Sequence, residues 1–133
     1  MNRIDVQFLL LATISLLVGV TLGIFMAASQ DHSLMPVHAH LNLVGWASLA
    51  IFGLTYRAYP SLGERRLAKV HLLFAAPAAI LMPIGIALAM LKDIEGVAIA
   101  ASFLWLTNCA IFFLQVLSLA TSSGSDRAAV PAE

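Results

Sequence analysis

Four uninterrupted apolar runs decide what this chain can fold into. Val6–Ala28 carries no charge, Pro36–Ala58 none before Arg57, Leu67–Leu91 only Lys69 near its entrance, and Gly96–Ala120 none. At about 1.5 Å per residue, roughly 20 helical residues cross a hydrocarbon layer of about 30 Å, so each run is long enough to span a bilayer. The runs do not alternate apolar with polar residues, and they are too few to close a barrel. The expected fold class is an all-α membrane protein with four transmembrane helices at 6–28, 36–58, 67–91 and 96–120. These form one domain over 1–120, followed by a flexible cytoplasmic tail at 121–133 rich in Ser, Ala and Gly.

Small residues (Ala27, Ala28, Ser29) follow the first run, as they do at a secretion-signal cleavage site. A signal's apolar core is only about 7–15 residues long and follows a basic segment, which here is Arg3 alone, so a retained span is expected. Composition agrees. Apolar residues make up 61% and charged residues 11% of the chain, against roughly 45–50% and 25% in soluble domains. Lys and Arg number 7, as do Asp and Glu, and the balance excludes a nucleic-acid binder and a polybasic surface helix. The lone Cys109 excludes an intrachain disulfide and a CxxC zinc or redox site.

Charge asymmetry gives an orientation. The second connection carries Arg57, Arg65, Arg66 and Lys69 against Glu64. The first offers Asp31 and His32, and the third Lys92, Asp93 and Glu95. Positive-inside bias therefore places the second connection and both termini in the cytoplasm, and the expected compartment is a bacterial inner membrane. Pro36 suits a first helical turn and Pro60 follows the second span, whereas Pro77 and Pro83 lie inside the third and are expected to shape the bundle by kinking it.

Ionisable groups inside a span are costly and mark functional sites. No Asp or Glu lies in the interior of any span, which argues against four-helix proton-coupled exporters that depend on an intramembrane carboxylate. The polar residues that remain are His38, His40 and His71, with Asn42, Thr107, Asn108 and Gln115. His38 and His40 lie about 3–6 Å below the start of the second helix and are about 200° apart around it, so one regular helix does not offer both to a single ion. Imidazole suits iron, copper and zinc; the alternative is a pair of interfacial histidines bonded to water or backbone carbonyls. His71, beside Lys69 at the opposite end, is expected to face solvent or headgroups, and His32 to sit on the surface. Trp46 and Trp105 lie deep in their spans, away from an interfacial belt, and are open to lipid packing or to lining a flat cofactor. Gly45, Gly53, Ala47 and Ala50 give the second helix small faces, and Gly19 and Gly23 form a GxxxG in the first.

The run His38-Ala39-His40-Leu41-Asn42-Leu43-Val44-Gly45-Trp46-Ala47-Ser48-Leu49-Ala50-Ile51-Phe52-Gly53, with Pro60 beyond it, resembles the tenth helix of haem–copper oxidase subunit I. It is also similar to segments of nitric-oxide-reductase relatives. In that family the paired histidines face opposite ways, one toward a low-spin haem and one toward the active-site haem. The resemblance implies a non-covalent b-type haem on His38 and His40, with Asn42 and Trp46 tuning it, for electron transfer or binding of O2 or NO; there is no CxxCH for covalent attachment. It also implies an architecture. Subunit I of the family has three four-helix arcs, this chain is similar to one of them, and a homotrimer would rebuild twelve helices around a haem held between neighbours. The family's copper-site His-His pair is missing, Tyr56 and Tyr59 lie at the far end of the second helix, and the spans hold no carboxylates. What is implied is thus haem binding with a redox partner, and not proton-pumping oxygen reduction. Two other readings stand beside it: copper or zinc held by symmetry-related histidines, and a structural bundle without cofactor.

Overall fold

A computed structural model describes residues 3–127, and its side chains through Thr121. The described residues are helical, with short connections and no strand. Helix α1 (Ile4–Ser29) is the first span. The second, Met35–Ala58, is composite: α2 (Met35–His40), a π-helical stretch (Leu41–Ser48) and α3 (Leu49–Ala58). A short α4 (Pro60–Gly63) leads to α5 (Arg66–Lys92), and α6 (Gly96–Arg127) completes the chain. Four helices are long and apolar enough to cross a membrane, and their bounds fall within two residues of those expected. The fourth helix itself continues past Ala120 to Arg127; residues 128–133 of the expected tail lie outside the described residues.

The ends follow local rules. Pro36 occupies the first turn of α2, where its missing N–H costs nothing. Tyr59 leaves the helical region before Pro60 (φ −123°, ψ 77°), since the α conformation is disfavoured for a residue preceding a proline, and this closes α3. Gln30 and Asp93 take left-handed conformations (φ 57° and 54°) and end α1 and α5. Helix α5 runs unbroken through Pro77 and Pro83.

The first two spans pack on each other, α6 packs chiefly along α5, and the pairs meet over a small core. Ile4, Phe8, Ala12, Leu49, Phe52, Tyr56, Leu62, Ala68, Ala75 and Ala79 are its buried members. At Gly85 a Cβ would come within 2.5 Å of the Ala98 backbone nitrogen, so α5 and α6 touch main chain to main chain. Most other large side chains face outward: Leu17, Ile24, Leu73, Phe103 and Phe113 are each more than half exposed. So much apolar surface around so thin a core is stable in lipid and not in water. The chain is a multi-pass membrane protein.

Candidate functional site

Two polar groupings interrupt the apolar bundle, one at each end. At the first, α2 carries His38 and His40. His38 turns inward onto α1, where its Nδ1 lies 2.8 Å from the Gly19 carbonyl oxygen. His40 turns the other way, with its Nδ1 2.8 Å from the Pro36 carbonyl one turn back. The α-helical backbone of Met35–His40 provides this divergence, as the two-residue spacing requires.

A carbonyl oxygen only accepts, so in both rings Nδ1 carries the hydrogen and donates it. In this tautomer the Nε2 lone pair of His40 meets no partner among the described residues, whereas that of His38 faces the Asn42 amide nitrogen at 3.5 Å. Metal-binding histidines are commonly held in this way, the bond at one nitrogen fixing the tautomer and raising the basicity of the other.

The GxxxG of α1 makes room for His38. A Cβ on Gly23 would lie 2.8 Å from His38 Cε1, and one on Gly19 would lie 2.8 Å from Asn42 Nδ2. The two glycines thus form a cradle for the imidazole and the amide beneath it. Asn42 Nδ2 donates to the His38 carbonyl at 2.9 Å, and also lies 3.5 Å from His38 Nε2. The sequence-derived residues His38 and Asn42 are brought together. Trp46 is 41% exposed on the outside of the span, and no hydrogen bond or ring contact joins it to either histidine among the described residues. His32 is exposed in the connection, as expected. Nearby, the Ser33 backbone N–H donates to the Asp31 carboxylate at 2.9 Å and holds it below the usual range.

The π-helical stretch begins directly after His40. Ser48 Oγ bonds the Leu43 carbonyl five residues back at 2.8 Å, within the widened turns. Gly45 packs against Ser15 of α1. Such stretches often occur where a helix carries function, and a regular helix had been expected here.

The other end corrects the sequence reading of His71. Its side chain is fully buried (0% exposed), facing neither solvent nor headgroups. Phe8 and Phe112 lie against it at ring-centroid distances of 5.0 and 5.6 Å, and Phe52 meets it edge-on at 4.7 Å. The Gln115 amide donates to the Tyr56 hydroxyl at 2.8 Å, and that hydroxyl lies 2.7 Å from His71 Nδ1. The phenol has one hydrogen and Nδ1 as its acceptor, so the chain runs Gln115 to Tyr56 to His71, and Nε2 bears the imidazole hydrogen. Asn108 reaches toward the ring. Its amide atoms, His71 Nε2 and Gln115 Oε1 are buried without a hydrogen-bond partner among the described residues.

Sequence reasoning named these residues separately but did not assemble them. The available signal was depth. Tyr56, His71 and Gln115 each lie about two turns or less from the same end of their spans, and Asn108 stands seven residues from Gln115 on one helical face. No group of three or more His, Cys, Asp or Glu side chains converges to hold a metal among the described residues. Comparisons with protein-family models, with curated proteins and with solved structures find no match.

Proposed function

We propose that this chain is a haem-binding membrane protein related to the haem–copper oxidases, with b-type haem held non-covalently by His38 and His40. The observation that carries the reading is the shared state of the two imidazoles. Each commits Nδ1 to a main-chain carbonyl, which leaves Nε2 as the nitrogen that would hold a haem iron; at His38 the Asn42 amide, now 3.5 Å from Nε2, would have to turn aside. Their divergence favours ligation across a seam between copies, and a homotrimer of this chain would supply three such seams. In this reading both termini lie in the cytoplasm of a bacterial inner membrane.

Bound haem would supply one-electron chemistry, or an open iron position for O2 or NO. The protein's own residues orient and tune. The Gly19 carbonyl fixes the His38 ring and strengthens it as a donor, and the Pro36 carbonyl does the same for His40. Asn42 stands beneath His38, where its amide can adjust the ring's electron density. Trp46 presents an indole on the outer surface of the same helix, available to a neighbouring copy.

The test is an absorption spectrum of detergent-purified protein with elemental analysis and an absolute mass. A Soret band with sharp reduced bands is expected in the wild type, and it should be diminished in His38→Ala and in His40→Ala but kept in His71→Ala. Full haem occupancy in both of the first two variants would remove the ligand assignment. Colourless protein with stoichiometric copper or zinc would point to a metal-ion site instead, and a monomeric mass would remove the trimer.

A further inference from the structure

At the end of the bundle opposite the histidine pair, a cavity of about 470 Å³ opens between the start of α1, the end of α3, α4 and the first turn of α5. Arg3, Asp5, Tyr56, Arg57, Glu64 and Lys69 supply its polar lining. Asp5 organises it. Its carboxylate accepts from Arg3 Nε at 3.3 Å and from Arg57 at 3.2 Å, which draws two guanidiniums from different spans to one rim. Both arginine side chains remain more than half exposed, and a guanidinium has five N–H groups, so most of their donors stay free. Lys69 makes no ion pair among the described residues, and Arg65, which is nearby in sequence, is tied to Ser118.

Three cations against two carboxylates leave this lining positive, and Asp5 is already engaged by the arginines. The cavity lies where three candidate spans begin or end (Ile4, Ala58, Arg66), so in a bilayer crossed by them it would sit at the level of the phosphates. Ile4 and Pro60 add apolar wall. Guanidinium pairs match the geometry of a phosphate, and an ammonium adds a point charge.

We propose that this cavity is a headgroup site for an anionic phospholipid, with the phosphate held by Arg3, Arg57 and Lys69. Tyr56 belongs both to the cavity wall and to the buried chain through His71 and Gln115, so the headgroup would sit one side chain away from that chain. The inference is independent of haem binding.

The test is native mass spectrometry of the full chain in detergent, titrated separately with phosphatidylglycerol, phosphatidylcholine and inorganic phosphate. Phosphatidylglycerol should be retained at least tenfold better than phosphatidylcholine. Each cation removed should weaken it about fivefold, so Arg57→Gln with Lys69→Gln should lose roughly 25-fold, while Lys92→Gln at the opposite end should change nothing. Equal retention of the two lipids, or a double variant that binds like the wild type, would overturn the proposal. Displacement of phosphatidylglycerol by equimolar inorganic phosphate would assign the cavity to a soluble anion and overturn it too. Should the double variant fail to fold, Lys69→Glu at this exposed position provides the same measurement: a loss of fivefold or more supports the site, and no loss defeats it.

Discussion

The two ends of the bundle treat histidine in opposite ways. At one, His38 and His40 are half-buried and each is anchored by Nδ1 to a main-chain carbonyl, with Nε2 of His38 facing the Asn42 amide and Nε2 of His40 unbonded among the described residues. At the opposite end, His71 is enclosed by Phe8, Phe52 and Phe112 and bonded to a phenol that is itself bonded to a carboxamide. The contrast separates two uses of one side chain. An imidazole anchored by a backbone carbonyl keeps that bond whatever side chain is mutated, and under the haem proposal this is the pair that would hold the ligand. One held by side chains from two other spans ties those spans together. Gln115 of α6 bonding Tyr56 of α3 joins the two helix pairs that otherwise meet over a thin apolar core.

The contrast can be broken by substitution, and the largest effect is expected at Phe8. Its ring is fully buried and touches Phe52, Tyr56 and His71. Phe8→Ala should cost about 3–5 kcal/mol of stability, measured by denaturant unfolding in detergent micelles, and under the haem proposal should leave the haem per folded chain little changed. Tyr56→Phe comes next. It keeps the ring but strands His71 Nδ1 and the Gln115 amide in a dry core, at a cost of about 1–3 kcal/mol. If unfolding were unchanged, the chain of bonds would not be what joins the pairs. The smallest effect on stability belongs to the histidine end. Gly23→Ala puts a methyl 2.8 Å from His38 Cε1, the far end of a side chain that can swing aside. The helix preference gained, about 1 kcal/mol, offsets the overpacking, so stability should fall by about 1 kcal/mol or less, while under the haem proposal occupancy falls clearly with the ring displaced. A Soret band of wild-type intensity in Gly23→Ala would show that the cradle does not position His38.

How much of this was legible in the sequence follows from the range of the forces involved. The spans were legible because bilayer thickness acts on every residue of a run, and their bounds agree within two residues. The divergence of His38 and His40 was legible because it lies within one turn. The setting of His71 was not. Depth along its own helix put it near an interface, but its burial is decided by Tyr56 and Gln115, which arrive from spans 15 and 44 positions away, counted from 71 to 56 and from 71 to 115. The cradle was half legible: Gly19 and Gly23 were visible as a small-residue face, but their partner, the His38 ring, was not.

The π-helical stretch has a consequence for how the ends relate. Each of its wide turns accommodates one residue more than an α-turn, so the azimuth of α3 lags where an unbroken helix would place it. The direction in which His38 points is thereby phased against the direction in which Phe52 and Tyr56 point. Shortening 41–48 by one residue would act as a clutch, rotating one face past the other while leaving every side chain of both intact.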